Sequence, residues 1–261
     1  MKIGFFDSGI GGLTVLREAL RVLPCEEYIY YADTDNVPYG PKSKEEVRAF
    51  VLNAAEFMAR QGIKALVVAC NTATSIAIDD LRKLYSFPVI GMEPAVKPAV
   101  EANKNKRVLV TATELTLKEE KFHNLVARVD SAHIVDMLPL PGLVEFAEKF
   151  VFDEQTVAPY LKRMLSPYDM NLYGTIVLGC THFPFYKRLF MKAVPCGVSI
   201  IDGNTGTVRR LKSVLEESTA YPVNAGGGRV EFFSSGRRAS DATDFTRYFT
   251  VLDGLNRDER H

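Results

Sequence analysis

The stretch KALVVACNT at residues 64–72 decides the fold, because a close counterpart, GTIVLGCTH, recurs at residues 174–182. In each stretch an apolar run and a small residue precede a cysteine, and two hydrogen-bonding residues follow it. Short apolar runs of this kind are typical of strands buried on both faces of a parallel sheet. The repeat therefore predicts two similar α/β halves, in which Cys70 and Cys180 each follow a strand and precede a helix.

The rest of the chain alternates between short apolar runs and amphipathic stretches. The runs predict strands at 2–6, 27–32, 64–69, 88–92, 106–112, 133–138, 175–179, 198–202 and 229–235. Amphipathic patterns predict helices at 13–23, 43–62, 72–86 and 205–218. This alternation predicts an α/β fold of two similar domains, with mostly parallel sheets and helices on both faces of each sheet. We expect residues 1–93 plus 207–261 to form the first domain and residues 94–206 the second.

The two cysteines are predicted to face each other. In open α/β sheets, ligands bind outside the carboxyl ends of the strands, which is where both cysteines lie. Two halves that face each other would place Cys70 and Cys180 on opposite sides of a cleft. The sequence therefore predicts an active site in the cleft between the domains.

Composition excludes several other classes of protein. Lys plus Arg and Asp plus Glu each total 32 among 261 residues, and this zero net charge argues against a nucleic-acid binder. No apolar stretch approaches the ~18 residues needed to span a bilayer. Asp7, Arg17 and Glu18 interrupt the N-terminal apolar run, which argues against a signal peptide. We expect a cytoplasmic protein with no membrane or nucleic-acid partner.

The four cysteines of a cytoplasmic protein are expected to be reduced thiols. No C-x-x-C or C-x-x-H spacing occurs, so no metal site is predicted. Cys25 and Cys196 follow prolines in loop-like contexts and receive no role. A helix N-terminus or a nearby cation lowers a thiol pKa, so we predict available thiolates at Cys70 and Cys180. The same helix termini would offer N–H groups to a substrate carboxylate.

Three polar residues lie close to the predicted strand ends. His182 follows the second of these cysteines by two positions, where an imidazole can tune the thiol. Asp7 and Ser8 end the first strand, where Asp7 could relay a proton and Ser8 could hydrogen-bond substrate. Helix capping is the alternative role for these two residues.

The glycines of GIGG at 9–12 raise the alternative of a dinucleotide site, with Asp33 following the second predicted strand. That fingerprint requires a third glycine where this chain has Thr14. It also leaves both cysteine motifs unexplained. We therefore favour thiol chemistry over dinucleotide binding.

Five segments together resemble the glutamate racemases of the aspartate/glutamate racemase superfamily. They are FDSGIGGLTVL at 6–16, YYADTDNVPYG at 30–40, ACNTATS at 69–75, GCTHFP at 179–184 and IDGNTGTV at 201–208. The resemblance implies cofactor-independent interconversion of L- and D-glutamate, with no pyridoxal phosphate. It also implies a cytoplasmic homodimer that supplies D-glutamate for peptidoglycan synthesis.

The resemblance further implies roles for individual residues. The catalytic set would be Cys70, Cys180, Asp7, His182 and Glu145, the last matched through PGLVE at 141–145. The substrate-binding set would be Asp7, Ser8, Tyr39, Gly40, Asn71, Thr72, Thr181 and His182. By the same resemblance, Cys70 acts on D-glutamate with help from Asp7. Cys180 acts on L-glutamate with help from His182, which has Glu145 behind it.

Two alternatives stay open at this stage. An aspartate racemase of the same superfamily would use the same chemistry on a shorter substrate. A non-catalytic amino-acid-binding protein of two α/β lobes would need the anion-binding strand ends but neither thiol. The paired cysteines count against this second alternative.

Overall fold

The computed structural model describes residues 1–103, 105–217, 227–239 and 243–258. The strands are β1 Lys2–Asp7, β2 Tyr28–Ala32, β3 Ile63–Val68, β4 Val89–Gly91, β5 Arg107–Ala112, β6 Val135–Pro139, β7 Tyr173–Leu178, β8 Ser199–Asp202, β9 Val230–Ser234 and β10 Arg237–Arg238. The helices are α1 Leu13–Val22, α2 Lys44–Arg60, α3 Asn71–Leu84, α4 Val96–Ala102, α5 Glu114–Lys118, α6 Glu120–Val129, α7 Pro141–Glu148, α8 Glu154–Leu165, α9 Lys187–Ala193, α10 Asn204–Glu217 and α11 Thr243–Asp258. Short 3₁₀ turns cover Met170–Leu172 and Phe183–Tyr186.

The strands form two separate sheets, which confirms the predicted fold class. The first has the order β10-β9-β2-β1-β3-β4, and all its pairs are parallel except β9 with β10. The second has the order β6-β5-β7-β8 and is parallel throughout. The domain limits stay a prediction, although the strands of the second sheet all lie within 94–206. Within 207–261, residues 218–226, 240–242 and 259–261 lie outside the described part of the chain.

Helices pack against both faces of each sheet, which explains why the strands read as unbroken apolar runs. On β1 the adjacent residues Phe5 and Phe6 point to opposite faces and belong to different core clusters. Helices α2 and α3 supply the cluster around Phe6, and α1, α10 and α11 supply the one around Phe5. The cluster around Phe5 continues into the second sheet and into α7, α8 and α9. One core therefore joins the two halves.

Each predicted strand has a counterpart in the structure, with small shifts at the ends. Strand β6 begins two residues later than predicted, at Val135, and β7 begins two residues earlier, at Tyr173. The four predicted helices correspond to α1, α2, α3 and α10. Within the described ranges, no helix is long and apolar enough to cross a membrane.

Candidate active site

Cys70 lies where strand β3 gives way to helix α3. It is the N-cap residue of that helix, and its Sγ accepts the backbone N–H of Ala73 at 3.5 Å. The thiol also donates to Ser8 Oγ at 3.6 Å. Burial, together with the nearby Asp7 carboxylate, raises the pKa of the Cys70 thiol to about 12. The predicted lowering of this pKa was wrong, because the cost of burying a thiolate outweighs the contact with the helix N-terminus.

Cys180 occupies the equivalent place after strand β7. The segment that follows is a 3₁₀ turn over Phe183–Tyr186, and helix α9 begins only at Lys187. The helix predicted after Cys180 is therefore present as a 3₁₀ turn that leads into α9, and its α-helical part begins seven residues after the cysteine. Instead, Cys180 Sγ lies 3.7 Å from Nδ1 of His182, so an imidazole takes the place of the helix N-terminus.

His182 is buried and contacts a polar group at each ring nitrogen. Besides the Nδ1 contact with Cys180, its Nε2 lies 2.6 Å from Glu148 Oε1. Burial alone would lower the pKa of His182, but the hydrogen bonds with Cys180 and Glu148 outweigh burial and raise the pKa well above its ordinary value. A cation beside a thiol is the arrangement that makes a thiolate available. The contacts of His182 are those expected of a group that tunes Cys180.

The carboxylate behind His182 is Glu148, and this corrects the placement of Glu145 there. Glu148 is the last residue of α7, and its Oε1 also accepts the backbone N–H of Ile10 at 2.9 Å. Glu145 lies three residues earlier on the same helix, is exposed and lines the cavity described below. Earlier residues of α7, Pro141, Val144 and Glu145, line the cavity, whereas the C-terminal residue of the helix contacts the histidine.

Asp7 connects the first sheet to the loop that carries Cys180. Its Oδ1 accepts the backbone N–H of Gly9 at 2.9 Å, and its Oδ2 accepts the Thr181 hydroxyl at 2.9 Å. Burial raises the pKa of Asp7 to about 6, although the charge of His182 and these two hydrogen bonds act against it. Asp7 therefore changes its protonation state close to neutral pH.

The GIGG run lets the two halves approach each other closely. A Cβ on Gly9 would overlap Glu148 Oε1, and a Cβ on Gly11 would overlap Thr181 Oγ1 and His182 Nδ1. Glycine is required here because side chains of the second half pack directly on this backbone. This close approach explains why glycines occur in this run, and a dinucleotide site is not needed to explain them.

A cavity of about 180 Å³ brings the predicted residues together. Both thiols line it, and the predicted residues on its wall are Ser8, Tyr39, Gly40, Cys70, Asn71, Thr72, Glu145, Cys180, Thr181 and His182. Asp7 is fully buried behind them. Among the described residues, no group of three or more His, Cys, Asp or Glu side chains is arranged to hold a metal ion.

Comparison with known proteins identifies the family of the chain. The sequence profile of the Asp/Glu/Hydantoin racemase family matches residues 13–211. The chain belongs to this family. A glutamate racemase of Halothermothrix orenii is 59% identical over 252 residues, which cover 97% of this chain and 99% of the relative.

Solved structures of this racemase family have the same fold. A glutamate racemase isoform of Bacillus anthracis has a TM-score of 0.81 at 31% identity, and the match covers 95% of this chain and 94% of that one. The glutamate racemase of Francisella tularensis in complex with D-glutamate has a TM-score of 0.80 at 28% identity, with 97% and 93% covered.

The side chains of Thr72 and Tyr39, both predicted to bind substrate, form hydrogen bonds within the protein. Thr72 Oγ1 lies 2.9 Å from the hydroxyls of Thr113 and Thr116, and this cluster joins α3 to α5. The Tyr39 hydroxyl donates to Asp33 Oδ2 at 2.6 Å. Both side chains shape the cavity wall, and their predicted contact with substrate stays a prediction.

Asn71, by contrast, has a free polar atom. Its Oδ1 is buried and has no hydrogen-bond partner within the described part of the chain. A buried acceptor without a donor costs about 1–3 kcal/mol, so a ligand that brings a donor is favoured there. The ammonium group of an amino acid is such a donor. This observation supports the predicted binding role of Asn71.

The residue that sequence reasoning missed is Glu148. The signal for it was present, because residues three apart on a helix lie on neighbouring positions of one face. A helix predicted over PGLVEFAE at 141–148 makes Glu145 and Glu148 equal candidates for the contact with His182.

We expect Asp7→Asn to raise the free energy of unfolding above pH 6. The pKa of about 6 against an ordinary 3.8 means that folding works against ionisation of Asp7, at a cost of about 3 kcal/mol once the group is charged. Stability from the raised pKa is complete below pH 3.8 and is lost as pH rises through 6. The variant should therefore match the wild type near pH 3.5 and exceed it at pH 7–8. Urea unfolding at both pH values measures this, and equal stabilities at pH 8 would contradict it.

Proposed function

We propose that this protein is a glutamate racemase that interconverts L- and D-glutamate with two thiols acting on opposite faces of the α-carbon. The observation that carries the proposal is that Cys70 and Cys180, at matching strand ends of two sheets, line one cavity. The names of the relatives support glutamate as the substrate. The product D-glutamate would serve peptidoglycan synthesis.

The two thiols have different surroundings. Cys70 has a raised pKa and is a neutral thiol, which is the form that donates a proton. Cys180 has the protonated imidazole of His182 beside it, which favours transfer of a proton away from the substrate. These surroundings favour reaction from L-glutamate, in which Cys180 removes the α-proton and Cys70 delivers another from the opposite face.

The reverse direction needs the opposite protonation states. Cys70 must lose its proton, and the substrate ammonium group, held near Asn71 Oδ1, supplies a positive charge that favours this loss. Asp7 titrates near neutral pH and changes the local charge in the same site. When protonated, Asp7 no longer carries the negative charge that raises the pKa of Cys70, and in this form it assists Cys70; the pair formed by His182 and Glu148 assists Cys180.

Proton removal also requires stabilisation of the charge that develops on the substrate carboxylate. A positioned general base contributes about 10²–10⁴-fold, so other groups must supply the rest. The first residues of α3, with their backbone N–H groups, and Ser8, with its hydroxyl, line the cavity. Donors fixed in this way stabilise an enolate-like carboxylate without reorganising.

The test is circular dichroism of L-glutamate incubated with the purified protein and no added cofactor. We expect the signal to decay to zero, and D-glutamate to give the mirror-image decay. Faster decay with L-aspartate would favour an aspartate racemase instead. An unchanged signal, with glutamate binding detected by calorimetry, would favour the non-catalytic binding protein.

Two finer predictions belong to this proposal. We propose that the protein acts in the cytoplasm and that it forms a homodimer. Light scattering of the purified chain at micromolar concentration distinguishes a dimer from a monomer, and a monomer that retains full racemase activity would contradict the second prediction.

A further inference from the structure

Helix α11 contacts both halves of the site from behind, through two residues one turn apart. Phe245 and Tyr248 are buried, with 5% and 2% of their surfaces exposed. Arg17 of α1 pairs with Asp253 and ties the helix to the first half. Helix α11 also contacts the 3₁₀ turn that follows His182.

Tyr248 packs on the segments that follow both members of the Glu148–His182 pair. Its ring lies 5.0 Å from the ring of Phe150, 6.0 Å from Phe152 and 5.9 Å from Phe185. Phe150 has a φ of 59°, a left-handed conformation that phenylalanine rarely adopts, at the turn that ends α7. Ring packing on Tyr248 holds this turn, and the turn fixes the end of the helix that carries Glu148.

Phe245 packs on the other half of the site. Its ring stacks on Phe232 at 5.1 Å and meets Tyr30 edge-on at 5.9 Å. The hydroxyl of Tyr30 donates to the backbone carbonyl of Gly9 at 2.7 Å, in the turn capped by Asp7. Phe245 thus supports the Asp7 turn beside Cys70 through a single intermediate side chain.

We propose that α11 is a positioning element for racemisation. Tyr248 positions Glu148 and His182 beside Cys180, and Phe245 positions the Asp7 turn beside Cys70. The proposal rests on the two-thiol function given above. A displacement of about 1 Å in a catalytic group costs up to about 10²-fold in rate, so packing at this distance from the chemistry is sufficient to matter. Neither residue touches the substrate cavity; each acts through the residues it contacts.

The test compares Tyr248→Leu and Phe245→Leu, with Tyr248→Phe as the conservative variant. We expect each leucine variant to lower kcat/KM roughly tenfold. The ratio of kcat/KM for the two enantiomers cannot change, because the equilibrium constant is unity. A difference between the effects of the two variants on the two proton transfers is instead visible in primary isotope effects, measured separately with α-deuterated L-glutamate and α-deuterated D-glutamate.

The two variants should change these isotope effects in opposite senses. Tyr248→Leu slows proton transfer at Cys180. Compared with the wild type, the isotope effect should therefore be larger when the reaction starts from L-glutamate and smaller when it starts from D-glutamate. Phe245→Leu slows transfer at Cys70 and should show the reverse, whereas Tyr248→Phe should match the wild type. A merely structural role would change both directions alike, and that result would overturn the proposal.

Two further measurements keep the outcome decisive. Far-ultraviolet circular dichroism and the thermal midpoint report whether each variant is folded. If Tyr248→Leu does not fold, Arg247→Ala replaces it, because the exposed guanidinium lies 4.6 Å from the Phe150 ring and 5.3 Å from the Tyr248 ring. We expect Arg247→Ala to give a smaller shift in the same sense, and no shift would overturn the proposal. Absence of glutamate racemisation by the wild type would instead reject the function on which the proposal rests.

Discussion

Replacing either Cys70 or Cys180 by alanine is expected to lower glutamate racemisation by about 10²–10⁴-fold in both directions. Each replacement removes the only proton donor or acceptor on one face of the α-carbon in the proposed mechanism. Both sites are strand ends where the lost group is one sulfur atom, so the fold should persist. Initial rates by circular dichroism from each enantiomer measure the loss.

The two remaining cysteines provide matched controls for this experiment. Cys25 and Cys196 are exposed free thiols, whereas Cys70 and Cys180 are buried. Cys25→Ala and Cys196→Ala should keep wild-type activity, which separates loss of a particular thiol from loss of any thiol. More than a tenth of the wild-type rate in Cys70→Ala or Cys180→Ala would be incompatible with the two-thiol mechanism.

Glu148→Gln is expected to lower racemisation by about 10- to 100-fold, whereas Glu145→Gln should change it less than threefold. Glu148 contacts Nε2 of His182 at 2.6 Å, and its negative charge helps to keep the imidazole protonated. Glutamine has the same shape but is neutral, so the variant loses the charged hydrogen bond to His182. Such a bond contributes about 1.5–3 kcal/mol, which corresponds to the expected loss of rate. Glu145 makes an ideal control because it lies on the same helix and lines the same cavity.

The pKa of His182 gives a second readout for this pair of variants. In Glu148→Gln the pKa should fall, so that the imidazole loses its proton at a lower pH than in the wild type. In Glu145→Gln it should stay where it is. NMR titration of ¹⁵N-labelled histidine measures both, and a larger effect of Glu145→Gln on either rate or pKa would restore Glu145 to the role that we assign to Glu148.

The repeated strand–cysteine motif was sufficient to predict the fold and to predict that Cys70 and Cys180 line the same cavity. Both depend on local patterns, because parallel strands bring their carboxyl ends to the same edge. The high pKa of Cys70 was not predictable, because it arises from burial, which depends on tertiary packing. The choice of Glu148 over Glu145 depends on how α7 is rotated about its axis, and no local pattern sets that rotation.

The order of strands in the first sheet has a consequence for how the chain folds during synthesis. Strand β9 pairs with the outer edge of β2, yet it is translated after the whole second sheet. The second sheet is contiguous in sequence and can close while the ribosome is still making β9. Until then the edge of β2, with its sequence YIYYA, stays unpaired and open to association with other chains. The second sheet can therefore be complete before the first, because the last two strands of the sheet that carries Cys70 are added only near the end of translation.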